Sequence, residues 1–142
     1  MSTGWWQLSE HEDWPADAGV VDDGLDAHNA PSVVGVRPLA CLARDAQRRV
    51  LGGALGRTWG ECAELQQLWV LPEQRQQGLG RALMQRFEAA AVQRGVRRVY
   101  LTTFSFQAPR FYAALGYAEQ ARIEGFGGGH VKYLFLRELP HS

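Results

Sequence analysis

Cysteine is nearly missing from this chain: Cys41 and Cys62 are the only two among 142 residues, each inside an apolar, strand-like segment. So few thiols rule out a disulfide framework and a zinc site, and the two read as small buried hydrophobes in a reducing compartment. Long apolar runs are missing as well. Without about 18 consecutive apolar residues there is no membrane span. An excess of either charge is missing over the whole chain, with Lys+Arg and Asp+Glu at 15 each, so the electrostatic footprint of a nucleic-acid binder is not there. The opening Met1-Ser2-Thr3-Gly4-Trp5-Trp6 has no basic region leading into an apolar stretch. No secretory signal is therefore expected, and the cytoplasm is the expected location. Internal repeats and low-complexity linkers are absent too.

What is present suits one domain spanning residues 1–142, since a chain of this length typically buries roughly 68–70% of its unfolded surface. The zero net charge hides an asymmetry. Residues 1–36 carry seven acids (Glu10, Glu12, Asp13, Asp17, Asp22, Asp23, Asp26) and no Lys or Arg, so all 15 bases and the other eight acids lie in the remaining 106 residues. An acidic front and a basic body can attract partners of opposite sign at two places; the same acids also fit one solvated helix face.

Periodicity then orders the elements. Trp5 to Leu8 reads as a short first strand. Trp14, Ala18, Val21, Leu25 and His28 recur every three or four residues, which predicts an amphipathic helix over 14–28. Trp5, Trp6 and Trp14 read as core by default. Leu39–Arg44, Val50–Trp59 and Glu61–Leu71 read as strands of an antiparallel meander. The second of these holds Gly52, Gly53 and Gly56, a sign of a bulge or of another backbone approaching closely. From Leu79 the period changes: Leu79, Leu83, Met84, Phe87, Ala90 and Ala91 form a helical stripe, closed by Gly95. Val96–Phe104 is a strand. A short helix starts at Pro109 and ends before Gly116. Two last strands, Tyr117–Phe126 and Val131–Leu139, are joined by Gly127-Gly128-Gly129-His130. The sum is a mixed α/β sheet with helices on its faces.

The stretch that carries chemistry runs from Leu68 to Leu83, where a strand leads straight into a helix whose entrance holds Gly78 and Gly80 and no Ser, Thr, Asp or Asn cap. A helix start leaves up to four backbone N–H groups unpaired, and a missing side-chain cap costs about 1 kcal/mol. Glycine lets a ligand approach that backbone, and the helix dipole favours an anion there. With Arg75 and Arg81 flanking the mouth, the loop reads as a phosphate or pyrophosphate site. It is not a P-loop, because Arg75–Leu83 contains no Lys. Nor is it a dinucleotide fingerprint: Leu83 stands where a third Gly or Ala belongs, and no acid occurs between Glu88 and Glu119.

The pattern Arg75-x-x-Gly78-x-Gly80 after a strand ending in Val70 resembles motif A of the GNAT family of acyl-CoA-dependent N-acetyltransferases. The run from Gln107 to Tyr117, with Phe111-Tyr112 ahead of Gly116-Tyr117, resembles that family's second signature. Gly24-Leu25-Asp26-Ala27-His28-Asn29 and the Gly129-His130 turn resemble segments of a small, single-domain bacterial branch. The resemblance implies a mixed, mostly antiparallel central sheet of about seven strands flanked by helices and splayed between the fourth and fifth strands. It implies acetyl-CoA as cosubstrate and a small-molecule amine as acceptor. It also implies roles. Backbone groups of Leu68, Trp69 and Val70 would pair with the pantetheine arm, an amide-bearing chain that can satisfy an open strand edge. The amides of Gln76, Gln77, Gly78, Leu79, Gly80 and Arg81 would hold the pyrophosphate, with Arg75 opening the loop. Thr103 and Phe104 would border the thioester end, and Phe111 and Tyr112 would lie beside pantetheine and sulfur. Many members of the family dimerise, but this sequence carries no interface signature.

Acetyl transfer from a thioester to an amine needs a neutral amine, a stabilised carbonyl oxygen and a protonated leaving thiolate. An amine of pKa near 10.4 is neutral in only about one part in 2,500 at pH 7, a handicap of roughly 4.6 kcal/mol. An α-amine near pKa 7.8 loses only about 1 kcal/mol. The Val70 amide is the candidate for the carbonyl oxygen and Tyr112 for the acid. For the base, the family branch has Glu near the position of Gln66, and glutamine cannot take a proton. Glu64, two residues earlier on the same strand face, is the candidate, with His130 and His28 as alternatives. The acids of the first helix point to a cationic amine, or else are solvent-facing only. A catalytically silent acyl-CoA-binding or sensor domain is the alternative function.

Overall fold

Alternation and helical period place most of the elements, and the computed structural model, which describes residues 4–140, bounds them. The described chain clusters into two compact units, one ending at Val34 and one starting at Gly35. In the first, Pro15 holds an extended conformation (ψ 162°) that keeps Trp14 out of any helix. A 3-10 turn at Ala16–Ala18 leads into helix α1 (Gly19–Asn29), shorter than the predicted 14–28. No residue of α1 is buried, and Asp22, Asp23, Asp26 and His28 are exposed. Trp5 to Leu8 is not a strand: the segment has no partner strand, and Trp5, Trp6, Leu8 and Trp14 are exposed. These tryptophans are therefore not core residues, contrary to the default reading.

The second unit holds a sheet of six strands among the described residues: β1 (Arg37–Arg44), β2 (Val50–Trp59), β3 (Cys62–Val70), β4 (Arg98–Phe104), β5 (Ala118–Ile123) and β6 (Lys132–Glu138), in the order β1-β2-β3-β4-β6-β5. Six rather than seven follows from the missing first strand, and it makes the predicted splay fall between the third and fourth. All neighbours are antiparallel except β3 and β4, whose parallel pairing requires a crossover. Helix α2 (Leu79–Gln93) supplies it, and short helix α3 (Pro109–Ala114) links β4 to β5.

The stripe of α2 lands as its spacing predicts. Leu83, Met84, Phe87 and Ala91 are buried and join Leu39, Ala54, Ala63, Leu65, Val99 and Leu101 in one core. Truncating the fully buried Phe87 would cost about 3–5 kcal/mol. Gly56 is glycine because of this packing: a Cβ there would lie 2.0 Å from the Glu64 carbonyl oxygen and 2.9 Å from the Phe87 ring. No helix among the described residues is long and apolar enough to cross a membrane.

Candidate active site

Strand β3 changes partners halfway along. Cys62, Ala63 and Glu64 pair with Arg98, Val99 and Tyr100 of β4, and there the pairing stops. Its register with β2 slips at the same place: Gly56 faces Leu65 but Leu55 faces Gln67, so Gln66 is an extra residue. Gln66 and Gln67 are both exposed, and the buried positions switch from Ala63 and Leu65 to the partly buried Leu68 and Val70. A bulge of this kind bends its strand and increases its twist. β4 meanwhile stays paired with β6 up to Phe104. Leu65–Val70 therefore has β2 on one side and, on the other, a cavity of about 1020 Å³.

At the far end of this open edge the chain turns into α2. Gln76 (φ 63°) and Gly78 (φ 84°) both take the left-handed conformation, which Gly78 adopts without strain. Gly78 caps α2 with no side-chain hydrogen bond, and the first helical bond is from the Ala82 amide to the Gly78 carbonyl, 3.0 Å. Among the described residues, the amides from Gln76 to Arg81 donate to no protein acceptor. Arg75 Nε donates to the Val70 carbonyl at 2.9 Å, tying the loop to the end of β3. Among the described residues, Arg75 and Arg81 are the only charged ones that line the cavity, and no carboxylate stands on its wall. Unpaired amides, the positive end of a helix dipole and two guanidinium groups make this end suited to a phosphate-bearing anion.

Tyr112 enters from α3. Its ring is buried against Phe111 (centroids 5.2 Å), Tyr117 (6.0 Å) and Phe135 (6.5 Å) and lines the cavity. Burial pushes its hydroxyl up to about 12, so it holds its proton throughout the neutral range. Among the described residues nothing partners that hydroxyl. Tyr117 differs: its hydroxyl donates to Glu88 Oε2 at 2.7 Å, and Glu88 Oε1 accepts from Arg137, which fastens the end of α3 to α2 and β6.

Of the predicted site residues, Leu68, Trp69, Val70, Arg75, Gln76, Gly78, Gly80, Arg81, Thr103, Phe111 and Tyr112 line the cavity, and Gln77, Leu79, Phe104 and Glu64 do not. Gln77 folds back to donate to the Glu73 carbonyl, Leu79 packs against the core, and Phe104 lies under Phe106. Glu64 lies before the bulge, in the paired part of β3. Arg57 Nε donates to its Oε1 at 3.0 Å, so the candidate base is engaged in an ion pair off the cavity wall. His28 is exposed on α1. His130 Nδ1 lies 3.3 Å from Ser105 Oγ, with its ring edge-on to Phe106. Sequence reasoning missed Gln66, Gln67, Leu101, Thr102, Phe106 and Gln107 on the wall. Gln107 had a legible position, between strand and helix: its Oε1 accepts from the Phe104 amide (2.7 Å) and Thr103 Oγ1 (3.3 Å), turning the chain from β4 towards α3.

Comparison with known proteins adds four findings. The family model described as Acetyltransferase (GNAT) family matches residues 5–117. The blasticidin-S acetyltransferase of Streptomyces morookaense is 33% identical over 119 residues, covering 81% of this chain and 88% of that one. Among solved structures, an acetyltransferase from Bacillus cereus superposes with a TM-score of 0.78 at 25% identity, over 92% of this chain and 98% of that one. A protein of Agrobacterium tumefaciens reaches 0.81 at 23% identity, over 94% and 100%, and shares the fold.

Proposed function

This chain belongs to the GNAT family of acetyltransferases, and from that premise we propose that it transfers the acetyl group of acetyl-CoA to a primary amine of a small molecule within a ternary complex. The observation that carries the proposal is the row of unacquired amides from Gln76 to Arg81 at the end of an open strand edge. Those features fit coenzyme A in kind: a diphosphate for the helix entrance and an amide-bearing arm for Leu68, Trp69 and Val70. The match to an enzyme named for acetylating blasticidin S supports a small-molecule acceptor.

Acetyl-CoA supplies a thioester; the amine nitrogen gains the acetyl carbon and loses a proton while the C–S bond opens. Arg75 and Arg81 neutralise the phosphates, and the Val70 amide is the donor assigned to the carbonyl oxygen. Tyr112 keeps a proton on its hydroxyl beside the departing sulfur. Held near 12 by burial, that phenol is a weaker acid than an ordinary thiol near 8.5, so full proton transfer to the sulfur is uphill. The hydroxyl therefore acts chiefly as a hydrogen-bond donor to the sulfur. Among the described residues Glu64 is engaged by Arg57 and no carboxylate lines the cavity wall, so we assign the amine's proton to solvent.

That missing carboxylate is also the one observation favouring the second reading, a silent acyl-CoA sensor. Two measurements separate the readings. Titration calorimetry with coenzyme A is expected to show binding, and a thiol-release assay with acetyl-CoA over a panel of primary amines is expected to show turnover. Binding without release on any amine makes the protein a sensor; absence of binding overturns both.

A further inference from the structure

The cavity's two walls each expose one large aromatic ring: Trp69 on β3, 48% exposed, and Phe106 just beyond β4, 62% exposed. Phe106 is the more unusual, because its surroundings fix it without covering it. Its ring lies nearly parallel to Phe104 (centroids 5.2 Å, 14° between planes), and the His130 ring meets it edge-on at 4.7 Å. His130 is in turn tied to Ser105 Oγ, which accepts the Val131 amide at 3.0 Å. Phe104 is itself wedged by the edge of Phe126 at 5.1 Å. The ring is thus backed on one face and steadied at its edge, while most of its surface stays in solvent. A side chain already held in place loses little rotamer freedom when a ligand covers it, and a free aromatic face prefers an offset or edge-on ring.

The charge of the cavity points the same way. Among the described residues its wall carries Arg75 and Arg81 and no carboxylate, so an ammonium finds no ion-pair partner there. Beside the polar side chains of Gln66, Gln67, Thr102, Thr103 and Gln107, what the wall offers an acceptor is apolar contact with its exposed rings. We infer that Phe106 is an acceptor-selecting residue, a stacking platform for a planar aromatic or heteroaromatic ring carried by the amine. The preferred acceptors are then aryl-bearing primary amines. This rests on the acetyltransferase reading above.

The test compares 2-phenylethylamine with 2-cyclohexylethylamine, which match in chain length and differ in ring planarity. The wild type is expected to favour the aryl amine about 3- to 10-fold in kcat/KM, the range typical of one aromatic pair. Phe106→Leu should abolish that preference, Phe106→Trp should keep it, and the KM for acetyl-CoA should stay put in both. Calorimetric titration of the two amines into the protein, with and without saturating coenzyme A, reads the same preference without turnover. Equal treatment of the two amines by the wild type overturns the inference. So does a Leu variant that shifts the acetyl-CoA constant instead, which would make Phe106 part of the donor's wall. If coenzyme A fails to bind, the acetyltransferase reading falls, and the ring preference in the titrations still decides the platform.

Discussion

Cys62–Glu64 and Leu65–Val70 are consecutive parts of one strand, yet they do different work. The first part has a strand on each side, and its charged residue is spent on a neighbour, Glu64 on Arg57. The second part has a strand on one side only and faces a cavity that Tyr112, Arg75 and Arg81 also line. One inserted residue, Gln66, falls just inside the second part. The difference teaches that a binding edge can be made by withholding pairs: backbone groups that would have satisfied β4 are left for something else.

The sharpest way to break the contrast is to delete Gln66. Without it Ala63, Leu65, Leu68 and Val70 fall on one face by simple alternation, so the strand can stay regular and the core intact. The deletion should let β3 stay with β4, and coenzyme A affinity should drop by about 100-fold or more, the sum of two or three lost hydrogen bonds. Calorimetry reads the affinity and a thermal melt checks that the protein folds; retained binding would mean that the bulge does not make the site.

Tyr112→Phe sharpens the open side. Its kcat should fall on the order of 10²–10³ with coenzyme A affinity unchanged. Because burial holds the phenol up to about 12, the wild-type rate should rise with pH as the amine loses its proton, with no fall traceable to Tyr112 below about pH 11. The same raised value sets a stability window. An unfolded tyrosine ionises first, near 10, so the stability linked to the neutral phenol is whole below pH 10 and is lost as pH climbs towards 12. Alkaline melts of the wild type and the Phe variant measure that loss.

The smallest effect belongs to the closed side. Glu64→Gln should change kcat by less than about twofold and stability by no more than about 1 kcal/mol, as for a partly exposed ion pair. A steady-state pH profile checks it; loss of an acidic limb would return Glu64 to the role of base.

Much of this was legible from residue order. The stripe from Leu79 to Ala91 and the uncapped entrance at Gly78 are local facts, set by backbone conformation and by a period of 3.6, and they stand where they were read. Trp5 to Leu8 misled because an apolar, strand-like run is a strand only when a partner is there. Phe104 sits among the site residues in sequence while its ring packs on Phe106, and Gln77 and Leu79 turn their side chains off the cavity while the amides assigned to them stay unpaired. Phe106 was missed for the converse reason, having no signature apart from the loop that holds it, while Gln107 opened a signature whose other residues drew the assignment.

Residue order by itself therefore determined most of the elements, the anion-suited helix entrance and the placing of Tyr112 on a short helix, because each depends on neighbours within a few positions. Where β3 leaves β4, that Arg57 engages Glu64, and that one phenyl face stays uncovered were decided only in three dimensions. Those outcomes depend on which distant segments compete for the same backbone groups and the same surface.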